Sequence, residues 1–566
     1  MQMFLKKINH VLIQSAFLCR CLFFLLDTGH AFAQTKPAKL TVVMVIDQFG
    51  YRSLQRVKPY VTKGLKFLLD HGVVYHKAIM PHGLPTTAPG HTTLQTGTTP
   101  SNHGIIANTW RLQNTKEVAV DDDQKYPTFL KNNEGRSPHN IMVKGISDSF
   151  VRSSTSQSPK YTFSISGKSR SAICTAGFLG KPIWFDKDIG SFTSSSYYFK
   201  KLPAWLEKVN KKQDLYHNSN VISWQPAFSL QDPAYSAVFT KGYAFSAPGA
   251  SFINTQFHAK EIIKKTHASN PKNKEKAYGY LELTPHINDY IFDCATACIK
   301  EYLPPKSKNS MLLWVCISSI DKVGHLMGPD SYEVIDSLYH LDRQIEHFMR
   351  KIEKIVKKED TLFVLTADHG MAEIPEVAHQ KGVLHAKRQQ KQELIKELND
   401  TIKKQHGIID ACVDIQAANV YFNQQKIQQK KAAVLQTAKK ILQTKEFIKN
   451  VWTYYELAML PVQEDSIESF FKNQLFANRS GDIIYQVAPN CLVDDHVKGG
   501  SHETPYHDDV HIPLLLYQKG AVEQKQITQN VFATQLAHTL SYLLQVSGPD
   551  IGIATEQLLP GLQGDE

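Results

Sequence analysis

The chain has 566 residues, of which 42% are hydrophobic and 21% charged. This is ordinary for a folded protein and excludes a mainly disordered chain, collagen and a polytopic membrane protein. A formal net charge of +11 suits an anionic partner, without choosing among phosphate esters, nucleic acid and a membrane surface.

Residues 1–33 read as a secretory signal peptide. Lys6 and Lys7 form the positive start, Val11 to Leu26 the apolar stretch, and Ala31-Phe32-Ala33 a small-residue cleavage site ahead of Gln34. Arg20 splits the apolar stretch below the roughly 20 residues of a spanning helix, so export with cleavage near Ala33 is expected, and no stable membrane insertion afterwards. Cys19 and Cys21 leave with this segment. Cys174, Cys294, Cys298, Cys316, Cys412 and Cys491 remain and read as buried free thiols.

Leu40 to Ile46 is apolar and rich in β-branched residues, and it ends at Asp47. It predicts a buried parallel strand with a carboxylate at its C-terminal end. Met311 to Ile320 repeats the design ahead of Asp321, and Thr361 to Thr366 repeats it ahead of Asp368-His369-Gly370. Ile512 to Tyr517 predicts another buried strand, and Tyr332 to Lys357 and Val531 to Val546 predict helices. Alternating strands and helices indicate an α/β fold, with a central largely parallel sheet and helices on both faces. Residues 111–300 carry less of this rhythm and read as a large capping insertion, between core segments 34–110 and 301–566. Residues 387–450 read as solvated helices rather than a nucleic-acid patch.

In open α/β sheets ligands bind beyond the carboxyl ends of the strands. Three strands deliver Asp or Asp-His to that edge, and imidazole with carboxylate is a donor set for zinc and similar ions. Asp47, Asp321, His325, Asp368, His369 and His502 are the candidate ligands. His325 lies one helical turn after Asp321, and His502 follows Gly499-Gly500-Ser501. Leu84 to His91 makes a sharp turn into a helix start, with Thr86 and Thr87 as candidate nucleophilic hydroxyls. A helix N-terminus there also favours a phosphate anion. Other motifs fail: Thr162 stands where a P-loop ending at Gly167-Lys168-Ser169 needs glycine, and Tyr506 breaks a zinc-protease helix at His502-Glu503.

In order, Val45-Ile46-Asp47, Thr87 to His91, His103 to Asn108, Lys168-Ser169-Arg170, Asp321 with His325, Asp368 to Gly370, and His502 ahead of His511 resemble the alkaline phosphatase superfamily. The match is to its monomeric bacterial members with a threonine nucleophile, relatives of the nucleotide pyrophosphatase/phosphodiesterases. The resemblance implies an alkaline-phosphatase-like fold and hydrolysis of phosphate monoesters through a phosphothreonine on Thr87. It implies two zinc ions, one held by Asp47, Asp368, His369 and Thr87, the other by Asp321, His325 and His502. Asn108, Lys168 and Arg170 would contact the phosphoryl group. The alternative is a phosphodiesterase or nucleotide pyrophosphatase built on the same two-metal site; the Lys168/Arg170 pair speaks against it. The resemblance also implies small-molecule phosphate esters as partners, no nucleic acid, a monomer, and a periplasmic or secreted location. Glu503 stands where that family commonly has glycine. His507 and His511 lie close enough in sequence to compete with His502.

Overall fold

The computed structural model describes residues 36–112, 115–121, 125–213, 222–229, 231–236, 256–257, 278–496, 498–522, 524–552 and 557–562. The expected signal segment 1–33 lies outside the described residues. Pro37 to Leu559 form one compact unit; Lys36 and residues 560–562 belong to a separate small unit.

A nine-stranded sheet organises the large unit. Its spatial order is Lys525–Phe532, Val73–Ile79, His511–Tyr517, Thr361–Thr366, Leu40–Ile46, Ser310–Ile317, Lys160–Ser166, Lys181–Asp186 and Ser191–Thr193. Leu40–Ile46 is buried at every position and lies inside the sheet between two parallel strands. A strand covered on both faces needs the continuous apolar run this segment has. From Thr361–Thr366 to Lys181–Asp186 every pairing is parallel. Two sets of helices cover the sheet. One set groups Gly64–His71, His286–Tyr302 and Tyr332–Glu353; the other groups Thr87–Thr96, Ile146–Arg152, Ser169–Ala176 and Gln535–Leu543.

The structure departs from the sequence expectations in four places. His511–Tyr517 is a buried strand, but it runs antiparallel to both neighbours. Val531 and Phe532 close the edge strand Lys525–Phe532, and the helix starts only at Gln535. Half of that strand's residues are exposed, and it lacks the apolar run of its buried counterparts. Residues 111–300 are more than a cap, since 160–166, 181–186 and 191–193 are strands of the central sheet. Lys160–Ser166 escaped notice because it alternates apolar with hydroxyl residues. Its hydroxyls are satisfied inside the fold: Thr162 Oγ1 donates to Ser147 O, and Ser164 Oγ pairs with Thr175 Oγ1 at 2.7 Å. Finally, the helices Lys391–His406 and Lys431–Gln443 do not stand alone. Leu394, Leu398 and Ile402 on one, and Val434, Ala438 and Leu442 on the other, share a core with Val420, Ile483 and Tyr485. These strand residues belong to a separate four-stranded antiparallel sheet ordered Cys412–Gln416, Asn419–Phe422, Ile483–Val487, Ile448–Thr453.

Among the described residues no helix is long and apolar enough to cross a membrane. All six remaining cysteines are buried free thiols, as expected. Trp184 and Tyr198 pack into a core with Ala172 and Cys174, which accounts for aromatic residues of the 111–300 stretch.

Candidate active site

Four neighbouring strands end at one edge of the sheet and each delivers part of a polar cluster. Thr361–Thr366 leads to Asp368 and His369, Leu40–Ile46 to Asp47, Ser310–Ile317 to Asp321, and Lys160–Ser166 to Lys168. Asp47 follows its strand directly. The chain then turns at Gln48, whose φ of 67° is strained for a side chain with a Cβ. Its amide N–H donates to Asp368 Oδ1 at 3.3 Å, tying two strand ends together. Asp321 sits later than expected, in the first turn of the helix Ser319–Met327 rather than at the strand end. The helical spacing places His325 on the same face, 3.3 Å from Asp321 Oδ1 through Nε2. A Cβ on Gly324 would sit 2.0 Å from Gln48 Oε1, so the Gln48 amide packs closely on this helix beside the Asp47 turn.

The ligand atoms of Asp321, His325 and His502 lie within 4.8 Å of one another, and so do those of Asp47, Asp321 and His369. The first set is the one expected. In the second, Asp321 stands within that radius where Asp368 was expected. Asp368 remains adjacent, its Oδ2 3.4 Å from His369 Nε2 and 3.1 Å from His91 Nδ1. His369 Nε2 is 3.4 Å from Asp47 Oδ1, and the His369 and His502 rings stack with centroids 3.8 Å apart. His507 and His511 belong elsewhere. His511 pairs with His507 through Nδ1 at 2.6 Å and with His76 O through Nε2 at 2.7 Å.

The donor chemistry fits metal ions. Nδ1 of His325 pairs with Gly500 O, that of His369 with Gly370 O and that of His502 with Pro85 O, at 2.8–2.9 Å. Donation from Nδ1 leaves each Nε2 lone pair for the cluster, the usual second-sphere arrangement of a metal-bound histidine. Asp47 Oδ1, Asp321 Oδ1 and His369 Nε2 are buried and form no hydrogen bond. Leaving such atoms unpaired costs about 1–3 kcal/mol each, a cost that bound cations remove. Burial, together with Asp321 and Asp368, pushes Asp47 up to about 6. Burial and the neighbouring His369 and His325 hold His502 well below the usual histidine range, so it is neutral and competent to ligate.

Lys168 lies at the centre of this acidic cluster. Its Nζ is 2.6 Å from Asp47 Oδ2, 2.5 Å from Asp321 Oδ2 and 3.5 Å from Thr87 Oγ1. Burial disfavours its charge, yet the two carboxylates hold its pKa above the ordinary lysine value. Arg170 follows two residues on, half-buried in the first turn of Ser169–Ala176. Its Nε is buried and forms no hydrogen bond.

Thr87 is the first residue of the helix Thr87–Thr96, and Thr86 precedes it as the cap residue. All ten residues of this helix are buried. Its hydroxyls are satisfied locally, with Thr92 Oγ1 donating to Ala88 O and Thr96 Oγ1 to Thr92 O at 2.7 Å. Of the two candidate hydroxyls, that of Thr87 lies beside Lys168, whereas Thr86 Oγ1 is buried without a hydrogen-bond partner. Asn108 Oδ1 accepts from Ala88 N–H at 2.9 Å, which fixes its amide beside the helix N-terminus and leaves the NH2 group to donate. The helix packs directly on the Asp368 strand end, where a Cβ on Gly90 would lie 2.4 Å from Asp368 O. Because that neighbour is backbone, Gly90→Ala is expected to destabilise the protein by about 3 kcal/mol, measurable by chemical denaturation.

Sequence reasoning left Gln48 and Asp509 without a role. Nothing in their residue type marks them; Asp509 was visible only as one of several acidic and histidine residues ahead of a strand.

A family model described as type I phosphodiesterase / nucleotide pyrophosphatase matches residues 41–509. The chain belongs to this family, within the alkaline phosphatase superfamily, and is a phosphatase-type hydrolase. Similar proteins include alkaline phosphatase PhoV of Synechococcus elongatus, 28% identical over 90% of both chains. Alkaline phosphatase PafA of Elizabethkingia meningoseptica is 29% identical, over 90% of this chain and 92% of the relative. The crystal structure of wild-type PafA superposes with a TM-score of 0.80 at 26% identity, covering 93% of this chain and 99% of that one.

Proposed function

We propose that this protein is an exported, zinc-dependent alkaline phosphatase that hydrolyses phosphate monoesters through a phosphothreonine on Thr87. The observation that carries this reading is the placement of Lys168, with its ammonium 3.5 Å from Thr87 Oγ1 and Arg170 two residues away. A monoester dianion presents one more charge than a diester, and a lysine with an arginine supplies two cations to meet it. Similarity to named alkaline phosphatases over 90% of the chain supports the same activity. A solved PafA variant carries changes at a threonine, an asparagine, a lysine and an arginine. Thr87, Asn108, Lys168 and Arg170 repeat that order, the spacing between the first two and the spacing between the last two.

Two zinc ions, held by Asp47, Asp368, His369 and Thr87 and by Asp321, His325 and His502, would lower the pKa of the nucleophile and neutralise charge on the leaving oxygen. Thr87 Oγ1 attacks phosphorus in line, a P–O bond to the alcohol breaks, and the alcohol leaves. Water then cleaves the phosphothreonine and releases inorganic phosphate. Asn108, through its NH2 group, and Arg170 hold the phosphoryl oxygens. With cations on the Asp47 and Asp321 carboxylates, the Lys168 ammonium would be available to the substrate. The second reading, diester hydrolysis, is favoured by the family description and disfavoured by the Lys168/Arg170 pair. Substrates are small phosphate esters, the protein acts as a monomer, and its location is periplasmic or secreted.

Elemental analysis of the mature protein should give two zinc ions per chain. Quenching turnover with acid should leave phosphate bound at Thr87; the absence of a phosphothreonine peptide from quenched enzyme contradicts the covalent route. Zinc binding should also depend on pH. Burial lowers the His325 pKa, but Asp321 outweighs it and brings the group to about 9, while Asp47 stands at about 6. Ligands bind deprotonated, so protons compete with zinc below these values. Apparent zinc affinity should therefore rise from pH 6 to about 9 and level off above it, as followed by chelator competition.

A further inference from the structure

Asp509 is completely buried and is bonded to two of the segments that carry candidate zinc ligands, the loop after His369 and the loop after His502. Its Oδ1 accepts from Ala372 N–H at 2.7 Å. Its Oδ2 accepts from Thr504 N–H at 3.0 Å and from Thr504 Oγ1 at 2.6 Å. Its backbone oxygen accepts from Gly370 N–H at 2.7 Å. Gly370 thus donates its N–H to Asp509, and its carbonyl, on the following peptide, accepts from Nδ1 of His369. This contact leaves no space for a side chain: a Cβ on Gly370 would lie 2.1 Å from Asp508 O.

On the second loop, Thr504 follows Glu503, whose φ is 90°. A non-glycine residue held there is strained and persists only where its surroundings fix it. The paired bonds from Thr504 to Asp509 fix one side of that turn, and Nδ1 of His502, bonded to Pro85 O, fixes the other. The outcome is the stacked His369 and His502 pair.

We propose that Asp509 is a positioning residue that holds the His369 loop and the His502 loop at one separation, so that the two zinc centres form as a pair. The inference rests on the two-zinc reading above. Outer-sphere partners of metal ligands typically change metal affinity 10- to 100-fold when altered. In Asp509→Asn one acceptor oxygen remains, but the NH2 group faces the donors of one loop, and that loop loses its anchor.

The test is chromophoric chelator competition on zinc-depleted wild-type and Asp509→Asn protein, with circular dichroism of each. The expected result is a folded variant whose affinity falls at least about tenfold at both sites, and whose kcat recovers in excess zinc. A role in stability alone would lower the unfolding temperature without moving the zinc half-saturation. Wild-type affinity at both sites overturns the proposal, and a loss confined to one site overturns the pairing. Wild-type protein that takes up no zinc overturns the two-zinc reading itself. If Asp509→Asn does not fold, Thr504→Val removes only the hydroxyl bond. It should weaken zinc binding several-fold, and no shift in that variant overturns the proposal.

Discussion

Thr87→Ala is expected to remove the covalent step and lower kcat/KM for an aryl phosphate by about 10⁴- to 10⁶-fold, the range seen when a covalent nucleophile is deleted. The substitution removes only the hydroxyl and the methyl group from the first residue of a fully buried helix. The fold should therefore survive, and the loss should appear in rate rather than in soluble yield. Thr86→Ala is the control. Its hydroxyl is equally buried and has no hydrogen-bond partner, so its loss should cost little activity. Thr87→Ser restores an attacking oxygen at the same position and should recover most of the rate. Rapid-quench measurements of each variant check the assignment. A burst of phosphoenzyme in Thr87→Ala, or collapse of activity in Thr86→Ala, would move the nucleophile to the neighbouring residue.

The second large effect concerns charge. Lys168→Ala with Arg170→Ala should cost monoester hydrolysis about 30- to 5,000-fold, since breaking charged contacts to a buried anion typically costs about 2–5 kcal/mol. Diester hydrolysis should fall by far less, because a diester carries one charge less and needs the pair less. Lys168 also contacts Asp47 and Asp321 in this structure, so its removal leaves those carboxylates without a nearby ammonium. Zinc affinity in the double variant should be unchanged or higher, which separates loss of substrate contact from loss of metal. Steady-state kinetics on the two ester types, with zinc content measured in parallel, decide this. Equal losses on both esters would remove the pair from substrate recognition.

Much of the candidate site is legible in the sequence because its carriers follow long apolar runs. A carboxylate directly after Leu40–Ile46, or an Asp-His pair after Thr361–Thr366, has no packing reason to be there. What was less legible depended on backbone turns. The apolar character of Met311 to Ile320 runs past the end of the Ser310–Ile317 strand into a helix, so Asp321 could be placed at the edge but not in its element. His502, His507 and His511 share one stretch of chain, and only tertiary contacts separate the first from the other two. Strands with polar buried faces, such as Lys160–Ser166, carry no apolar run to announce them, and Lys168 was therefore assigned to an insertion. Asp509 is the opposite case. The role proposed for it rests on the backbone groups and the Thr504 hydroxyl it meets, and residue type does not reveal those contacts.

The most direct test of the central claim is a paired determination of kcat/KM for an aryl phosphate monoester and its matching diester, on the mature protein with zinc supplied. The account predicts a strong monoester preference that disappears in Thr87→Ala. A preference for the diester would contradict it and identify a phosphodiesterase on the same metal site.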